Sequence, residues 1–211
     1  MIAIVDSGIA NLGSVEAAFR RIGVAAQVVA DGDLVRAADG VVLPGVGAFP
    51  DAMAALEARH FIEPICLAAE IGVPVLGICL GMQLLAEESE EFGRHKGLGL
   101  IPGQVVRLQT RHPGERVPNI GWCDVMPAPK AALYRGVAPG TALYFAHSYA
   151  LACRDADDVV ATIRFGGETV TVGVQRGNIH GAQFHPEKSQ DGGLAILTAF
   201  AALVRDRKRH A

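Results

Sequence analysis

The sequence predicts an α/β fold with a largely parallel central sheet, helices on both faces of that sheet, and a smaller antiparallel or mixed portion. Two patterns support this prediction. Short apolar segments alternate with helix-period segments in the first half of the chain, and short strands and turns predominate after Gly93. Strands that are apolar throughout and separated by helices are typical of a parallel sheet buried on both faces, which binds ligands at the carboxyl ends of its strands.

The first half of the chain accounts for the parallel part of the sheet. Its apolar, β-rich segments predict strands at residues 2–5, 25–29, 40–43 and 73–78. Its helix-period segments predict helices near residues 12–22, 48–58, 61–71 and 80–88. Three of the four strands are therefore followed by helical sequence, as in βαβ units.

The second half accounts for the antiparallel or mixed portion. Strands are predicted at residues 105–108, 143–145, 159–163, 169–174 and 179–184, and a final helix at about residues 193–204. No internal repeat, low-complexity tract or linker divides the chain. We therefore expect one domain over residues 1–211.

Composition and charge exclude several functional classes. The 211-residue chain has a net charge of −3, which gives no general attraction to nucleic acid or to an anionic membrane. No apolar run is long enough to span a membrane, and the first residues do not resemble a signal peptide. The four cysteines are widely spaced without a Cys-x-x-Cys pair, so we expect no structural metal, no disulfide scaffold and a reducing, cytoplasmic location.

Two loops that follow predicted strands do not fit a dinucleotide site. Residues 6–11 contain one glycine where the fingerprint needs three, and residues 44–50 have Pro50 in place of the third, so we expect no cofactor. The glycines of the second loop instead allow its peptide units to turn an N–H toward a developing oxyanion, with the N–H of Leu80 as a second donor. A simple βα turn is the alternative.

A candidate nucleophile lies where a predicted strand meets a predicted helix. Cys79 stands between Gly77 and Gly81, and a glycine two residues away on each side permits a tight turn that pushes the side chain outward. The helix that follows supplies partial positive charge and unpaired N–H groups, which favour a thiolate. The alternative is a buried, inert cysteine.

A cysteine nucleophile needs a base that is oriented by a third group. Among seven histidines, His185 has suitable surroundings because Pro186 ends the strand and holds His185 extended. Glu187, two residues further along an extended chain, is expected on the same side, where its carboxylate can fix the imidazole tautomer. These spacings predict a triad of Cys79, His185 and Glu187.

Two further polar residues each have two interpretations. Gln83 follows Cys79 by one helical turn, so its amide either reaches the pocket and binds a polar substrate or is a neutral surface group. His147 ends another predicted strand, where substrate contact is possible but a structural histidine with satisfied hydrogen bonds is favoured.

These motifs resemble those of the class I, triad-type glutamine amidotransferases, which carry Gly-x-Cys-x-Gly and a later His-Pro-Glu on a flavodoxin-like fold. Within that class, the loop at residues 44–49, the segment 79–83 and the segment 185–189 are similar to the glutaminase subunits of imidazole glycerol phosphate synthase, of histidine biosynthesis. The similarity extends over nearly the whole chain. Relatives that make other products typically carry a different oxyanion loop.

The resemblance implies roles for individual residues. Cys79 would attack the side-chain amide of glutamine, and His185 would protonate the departing ammonia and then activate water. The oxyanion would be surrounded by Val46, Gly47 and Leu80. The substrate would be held by Gly47, Gln83, Ser148 and Tyr149.

The resemblance also implies a partner, a separate (β/α)₈ cyclase subunit that receives the ammonia. The implied interface is made by the loop from Gly8 to Asn11, by Lys188, and by the segment that contains Pro118, Asn119 and Trp122. Trp122 is the only tryptophan, and a core position is its alternative. Four residues at this surface depart from the usual pattern of these subunits, namely Ser7, Ala10, Asn119 and Cys123.

Three alternative functions remain open from the sequence. The chain could serve another amidotransferase, such as one of pyridoxal phosphate or GMP synthesis. It could be a catalytically idle regulatory subunit of the same fold, which the complete triad argues against. It could also be a cysteine peptidase, which would need an open cleft rather than a small closed pocket.

Overall fold

A mixed nine-stranded sheet forms the centre of the protein in the computed structural model, which describes residues 1–8, 10–110 and 116–210. The strands are β1 (Ile2–Val5), β2 (Ala26–Val29), β3 (Gly40–Gly45), β4 (Val75–Cys79), β5 (Ala86–Ser89), β6 (His95–Lys96), β7 (Ile101–Arg107), β8 (Asn119–Pro127), β9 (Thr141–His147), β10 (Tyr149–Cys153), β11 (Val159–Phe165), β12 (Glu168–Arg176) and β13 (Ile179–Ala182). The helices are α1 (Leu12–Arg21), α2 (Gly32–Arg36), α3 (Phe49–Ala58), α4 (Ile62–Glu70), α5 (Leu80–Leu84) and α6 (Gln190–His210).

The central sheet is parallel on one side and antiparallel on the other. Its strand order is β2-β1-β3-β4-β13-β12-β11-β8-β9, and the pairs from β2 to β13 are parallel. The pairs from β13 to β9 are antiparallel. A second sheet has the order β10-β7-β5-β6. The predicted fold class is confirmed.

The apolar strands are explained by burial on both faces of the sheet. Along β1, Ile2 and Ile4 pack in one cluster, which includes Phe19 of α1 and Phe200 of α6. The intervening Ala3 and Val5 pack in a second cluster with α3 and α4. Since alternate residues of a strand point to opposite faces, a strand with helices on both sides must be apolar at every position.

The predicted helix over residues 80–88 is wrong in its second half. Helix α5 ends at Leu84, and Ala86–Ser89 forms β5 of the second sheet. The carbonyl oxygens of Leu84 and Leu85 accept the N–H groups of Leu98 and Leu100 instead of N–H groups one helical turn later. Strand pairing thus overrides local helix propensity, which is a weak preference. Strands β6, β8 and β10 and helix α2 lack a predicted counterpart.

Close packing of α5 on the sheet requires glycine at two positions. A Cβ atom at Gly81 would overlap the carbonyl oxygen of Leu43 in β3, and one at Gly77 would overlap the backbone at Gly81 and Met82. The helix therefore approaches the sheet at backbone distance. This contact brings the carboxyl ends of β3 and β4 together, with Gly45 paired to Cys79.

We expect Gly81→Ala to destabilise the protein by about 3 kcal/mol or more, because the added methyl group meets backbone atoms that cannot move aside. Urea unfolding followed by circular dichroism measures the effect. Gly13→Ala is the matched control, since Gly13 also lies in a helix but has no atom near an added Cβ, and we expect it to stabilise the fold by about 0.5–1 kcal/mol. Equal effects of the two substitutions would contradict this account of the corner.

Candidate active site

Cys79 lies at a sharp turn between β4 and α5. Its φ angle is +53° and its ψ angle is −110°, a conformation that costs about 1–3 kcal/mol for a residue with a side chain. Strain of this size persists only when the surrounding structure enforces it, here through the close packing of α5. The predicted strand-to-helix corner is confirmed, and it presents the sulfur at the carboxyl edge of the sheet.

His185 and Glu187 meet beside this sulfur. His185 Nδ1 lies 2.9 Å from Glu187 Oε1, and the two side chains are 7% and 2% exposed. His185 also hydrogen-bonds to Cys79, for which its second ring nitrogen remains. The three predicted residues are therefore brought into contact.

The route by which Glu187 reaches His185 differs from the prediction. Strand β13 ends at Ala182, and residues Pro186–Lys188 form a turn of 3₁₀-helix rather than extended chain. The ring of Pro186 fixes a φ angle that suits the first position of a helical turn, so the chain coils immediately after His185. The coil folds the carboxylate back onto the imidazole.

The environment of His185 favours its charged form. Burial lowers the pKa of His185, but the hydrogen bonds with Cys79 and Glu187, together with the charges of these two groups, outweigh that effect and raise the pKa to about 9. Glu187 Oε2 is buried and has no hydrogen-bond partner, so no donor weakens the charge that the carboxylate directs at the imidazole. The imidazole beside the sulfur is therefore protonated at neutral pH.

A cavity of about 350 Å³ opens directly above the sulfur. It is lined by Val46, Gly47, Cys79, Leu80, Gln83, Glu91, Pro118, Ile120, Ala146, His147, Ser148, Tyr149, His185 and Lys188. All the residues that were predicted to bind the oxyanion or the substrate are in this set. They come from the carboxyl ends of β3 and β4, from α5, and from the junction of β9 and β10.

The loop after β3 borders the cavity. Gly47 has a φ angle of +90°, which glycine adopts without strain, and both Val46 and Gly47 border the cavity beside Leu80. This position fits the oxyanion role.

Gln83 is not a surface glutamine. It is 5% exposed, and its Nε2 donates to the carbonyl oxygen of Tyr149 at 2.9 Å and to Oε1 of Gln183 at 3.0 Å. Both amide hydrogens are therefore used within the protein, which fixes the orientation of the amide. Its own Oε1 remains as an acceptor for a ligand in the cavity.

His147 is held as a neutral side chain beneath the cavity. Its Nδ1 lies 2.8 Å from the carbonyl oxygen of Tyr149, and its Nε2 lies 3.1 Å from Nδ2 of Asn119. Since the carbonyl can only accept and the amide nitrogen can only donate, Nδ1 carries the hydrogen. Burial lowers the pKa of His147 to about 4, against the opposing effect of the Tyr149 hydrogen bond.

Asn119, which was predicted at the partner interface, is buried rather than exposed. Its side chain contacts His147, and its Oδ1 accepts from the thiol of Cys123 at 3.6 Å. Two of the four unusual residues therefore form one hydrogen-bonded chain that supports His147.

The other predicted interface residues surround the cavity mouth or lie near it. Trp122 is 48% exposed and packs edge-on against Tyr144, over whose ring lies Nζ of Lys188. Pro118 and Lys188 border the cavity, and Asn11 is exposed next to a small cavity behind His185. A core position for Trp122 is thus excluded. Ile9, in the predicted interface loop, lies outside the described residues.

Two residues of the site were missed by the sequence reasoning. Glu91 borders the cavity, and its Oε2 accepts from the N–H of Phe49. Nothing distinguishes it in sequence from the neighbouring glutamates. Gln183 is fully buried and lies next to the sulfur, and a signal for it existed, because residues two apart in extended chain face the same side and Gln183 precedes His185 by two.

The described part of the chain offers neither a metal-binding cluster nor a membrane-spanning helix. Within residues 1–8, 10–110 and 116–210, no three His, Cys, Asp or Glu side chains are grouped so that they could hold a metal ion. None of the helices there is both long enough and apolar enough to cross a bilayer. The four cysteines are free thiols.

Solved structures share the fold over nearly the whole chain. The structure of a glutamine amidotransferase covers 97% of this chain and 98% of its own, with a TM-score of 0.75 at 17% identity. A structure of PurLQS from Thermotoga maritima covers 95% and 97%, with a TM-score of 0.74 at 21% identity. At such low identity these matches establish the fold alone.

Sequence comparison identifies the family. Residues 3–202 match the model of the class-I glutamine amidotransferases. The imidazole glycerol phosphate synthase subunits HisH of Moorella thermoacetica and Syntrophotalea carbinolica are each 48% identical over 204 residues, which cover 97% and 95% of this chain and 95% and 98% of the relatives. The HisH subunit of Bacillus cereus is 43% identical over 204 residues, covering 97% and 95%. The chain therefore belongs to the class I glutamine amidotransferases and, among them, to the HisH subunits of imidazole glycerol phosphate synthase.

Proposed function

We propose that this chain hydrolyses glutamine to glutamate and ammonia, and supplies the ammonia to a separate cyclase subunit of histidine biosynthesis. The observation that carries this proposal is the contact of Cys79 with a histidine that is itself held by a buried glutamate. The cavity above the sulfur is near the small end of the range for ligand pockets, as a single amino acid requires.

The first chemical step forms a thioester. The Cys79 thiolate adds to the side-chain amide carbon of glutamine, and the negative charge moves to the amide oxygen. Val46, Gly47 and Leu80 border the cavity together with Cys79, and we assign their N–H groups the stabilisation of that oxygen. The His185 imidazolium then gives its proton to the amide nitrogen, so that the C–N bond breaks and ammonia leaves.

The second step uses the same imidazole as a base. Acylation removes the negative charge of the sulfur, which is one of the causes of the raised pKa of His185. The neutral imidazole is then able to take a proton from water, which adds to the thioester carbon. Collapse of this intermediate breaks the C–S bond, releases glutamate and returns the thiolate.

Groups on the far side of the cavity recognise the amino-acid end of glutamine. Gln83 presents its free Oε1, an acceptor that fits an ammonium group or an N–H of the substrate. Ser148 and Tyr149 lie at the junction of β9 and β10 and border the cavity. Gly47 also borders it.

The cyclase, which is a separate (β/α)₈ barrel, is proposed to dock over the cavity mouth. Exposed apolar groups in this region are Ile120 and Trp122, which are 65% and 48% exposed, and Val46, which is 41% exposed. Large exposed apolar side chains beside a site are typical of an interface. Docking there would close the cavity and direct ammonia to the partner rather than to solvent. The proposal requires no nucleic acid, membrane or cofactor, and it places a single-domain protein in the cytoplasm.

We expect Cys79→Ala to abolish glutamine-dependent synthesis by the complex, because no other group of the triad can form the thioester. Synthesis with added ammonium chloride should be unchanged, because the cyclase then receives its nitrogen directly. Both rates are measured on the complex with the cyclase from the same organism. Cys66→Ala is the control, since Cys66 is a free thiol that does not border the cavity.

A glutaminase rate that survives Cys79→Ala would overturn the assignment of the nucleophile. Labelling with an electrophilic glutamine analogue, followed by mass spectrometry, gives a second test. Modification at Cys79 is expected, whereas an idle regulatory subunit would remain unmodified. Turnover of peptides without turnover of glutamine would indicate a peptidase.

The pH dependence should reflect the charge of His185. Because the pKa of His185 is raised to about 9, the imidazolium that protonates ammonia is present below that pH and is lost above it. We therefore expect kcat/KM for glutamine to fall above about pH 9. Glu187→Gln removes a hydrogen-bonded charge that raises this pKa, and should move the alkaline limb to lower pH by roughly one to two units. An unmoved limb would show that Glu187 does not act on His185.

We expect Trp122→Ala to weaken cyclase binding by about 2 kcal/mol, or roughly thirtyfold in Kd, if it anchors the interface. Met126→Ala is the matched control, because Met126 is 52% exposed on the same face of β8 but lies four residues farther from the cavity end of that strand. Titration calorimetry with the purified cyclase measures the Kd of each variant. Equal affinities of the two variants would place the interface elsewhere.

A further inference from the structure

We propose that Gln183 is a positioning residue that holds the Cys79 sulfur in its reactive form by donating an amide N–H to it. The inference rests on the proposed role of Cys79 as nucleophile and adds a residue that the triad does not contain. Gln183 Nε2 lies 3.8 Å from Cys79 Sγ, within the range of a hydrogen bond to sulfur. The side chain is fully buried, so no water competes for this contact.

The orientation of the Gln183 amide is determined by its other neighbour. Gln183 Oε1 accepts from Nε2 of Gln83, and Gln83 is in turn fixed by the carbonyl oxygen of Tyr149. A flipped Gln183 amide would place two N–H groups against each other and its oxygen against the sulfur. The donor end therefore faces Cys79.

The sulfur faces groups that favour different protonation states. On one side is the carbonyl oxygen of Ala146, 3.9 Å away, which can accept only from a thiol. On the other sides are the donors of Gln183 and His185, which stabilise a thiolate. When the proton passes to His185, the Ala146 contact is lost and the Gln183 contact strengthens. Gln183 thus holds the sulfur in position after the proton has passed from Cys79 to His185.

The same donor acts twice in the reaction. It stabilises the thiolate before attack on the amide carbon, and it stabilises the thiolate that departs when the C–S bond of the second intermediate breaks. A neutral thioester sulfur is a weak acceptor, so the hydrogen bond favours the reactants of the first step and the products of the second. Its main effect is to keep the nucleophile ionised and aimed, because both properties control reactivity toward any electrophile.

The test uses iodoacetamide, a small electrophile whose reaction with Cys79 does not depend on glutamine binding. Gln183→Met keeps the size of the side chain but removes the donor. The matched control is Gln175→Met, in which a glutamine of the adjacent strand β12 loses a hydrogen bond to the Ala132 N–H away from the cavity. The rate of Cys79 alkylation is followed by mass spectrometry between pH 5 and about pH 10, with Cys66, Cys123 and Cys153 as internal references.

We expect Gln183→Met to be alkylated at Cys79 about tenfold or more slowly than Gln175→Met at neutral pH, with the acid limb of its rate profile moved to higher pH. The alkylation of the other three cysteines should be unchanged. Superimposable profiles for the two variants at Cys79 would overturn the inference. If circular dichroism shows that Gln183→Met does not fold, Gln183→Asn replaces it, because asparagine is one methylene shorter and holds its amide donor farther from the sulfur. Slower alkylation of Cys79 would then support the inference, and an unchanged profile would overturn it.

This result is separable from the proposed function. If Cys79→Ala is inactive with glutamine while Gln183→Met behaves as the control does, the nucleophile assignment stands and the role of Gln183 fails. If Cys79→Ala keeps its glutaminase rate, the proposed function fails whatever the alkylation profiles show.

Discussion

The close approach of helix α5 to strands β3 and β4 is the constraint on which the site depends. Glycine at positions 77 and 81 lets the helix pack at backbone distance, and no side chain fits in either place. The short turn that remains forces Cys79 to a positive φ angle and turns its side chain out of the sheet. Favourable packing elsewhere offsets this strain, which falls on the residue that the chemistry requires at the cavity.

The electrostatics of the site follow from where that corner places the sulfur. His185 is buried, and burial alone would make it neutral, as it does for His147 a short distance away. The difference lies in the hydrogen-bond partners, because His147 contacts a carbonyl and an amide, whereas His185 contacts the Glu187 carboxylate and the Cys79 side chain. One histidine is therefore a charged acid before acylation, and the other is a fixed neutral support.

The sequence predicted the structure best where the local residue pattern and the long-range contacts favour the same conformation. The glycines on either side of Cys79 could be predicted because close backbone approach requires glycine. The His-Pro-Glu segment could be predicted because proline has a fixed φ angle, and the parallel strands because burial on both faces requires apolar residues throughout. Helix 80–88 was predicted too long, since only pairing with distant strands determines that residues 86–89 are extended. Glu91 could not be found for the same reason: its role is set by the loop at Phe49, far away in sequence.

The hydrogen bonds beneath the cavity show how unusual residues can be accommodated without change to the chemistry. Asn119 and Cys123 depart from the pattern expected of these subunits, yet they complete a chain of donors and acceptors that ends at His147 and the Tyr149 carbonyl. That carbonyl also receives the amide of Gln83, which orients Gln183 toward the sulfur. Each amide in this chain has one orientation that satisfies its neighbours, so the hydrogen bonds fix how the amides of Gln83 and Gln183 are turned. Strand β8, which carries the proposed docking residue Trp122, is thereby connected to the sulfur through a continuous series of hydrogen bonds that begins at Asn119.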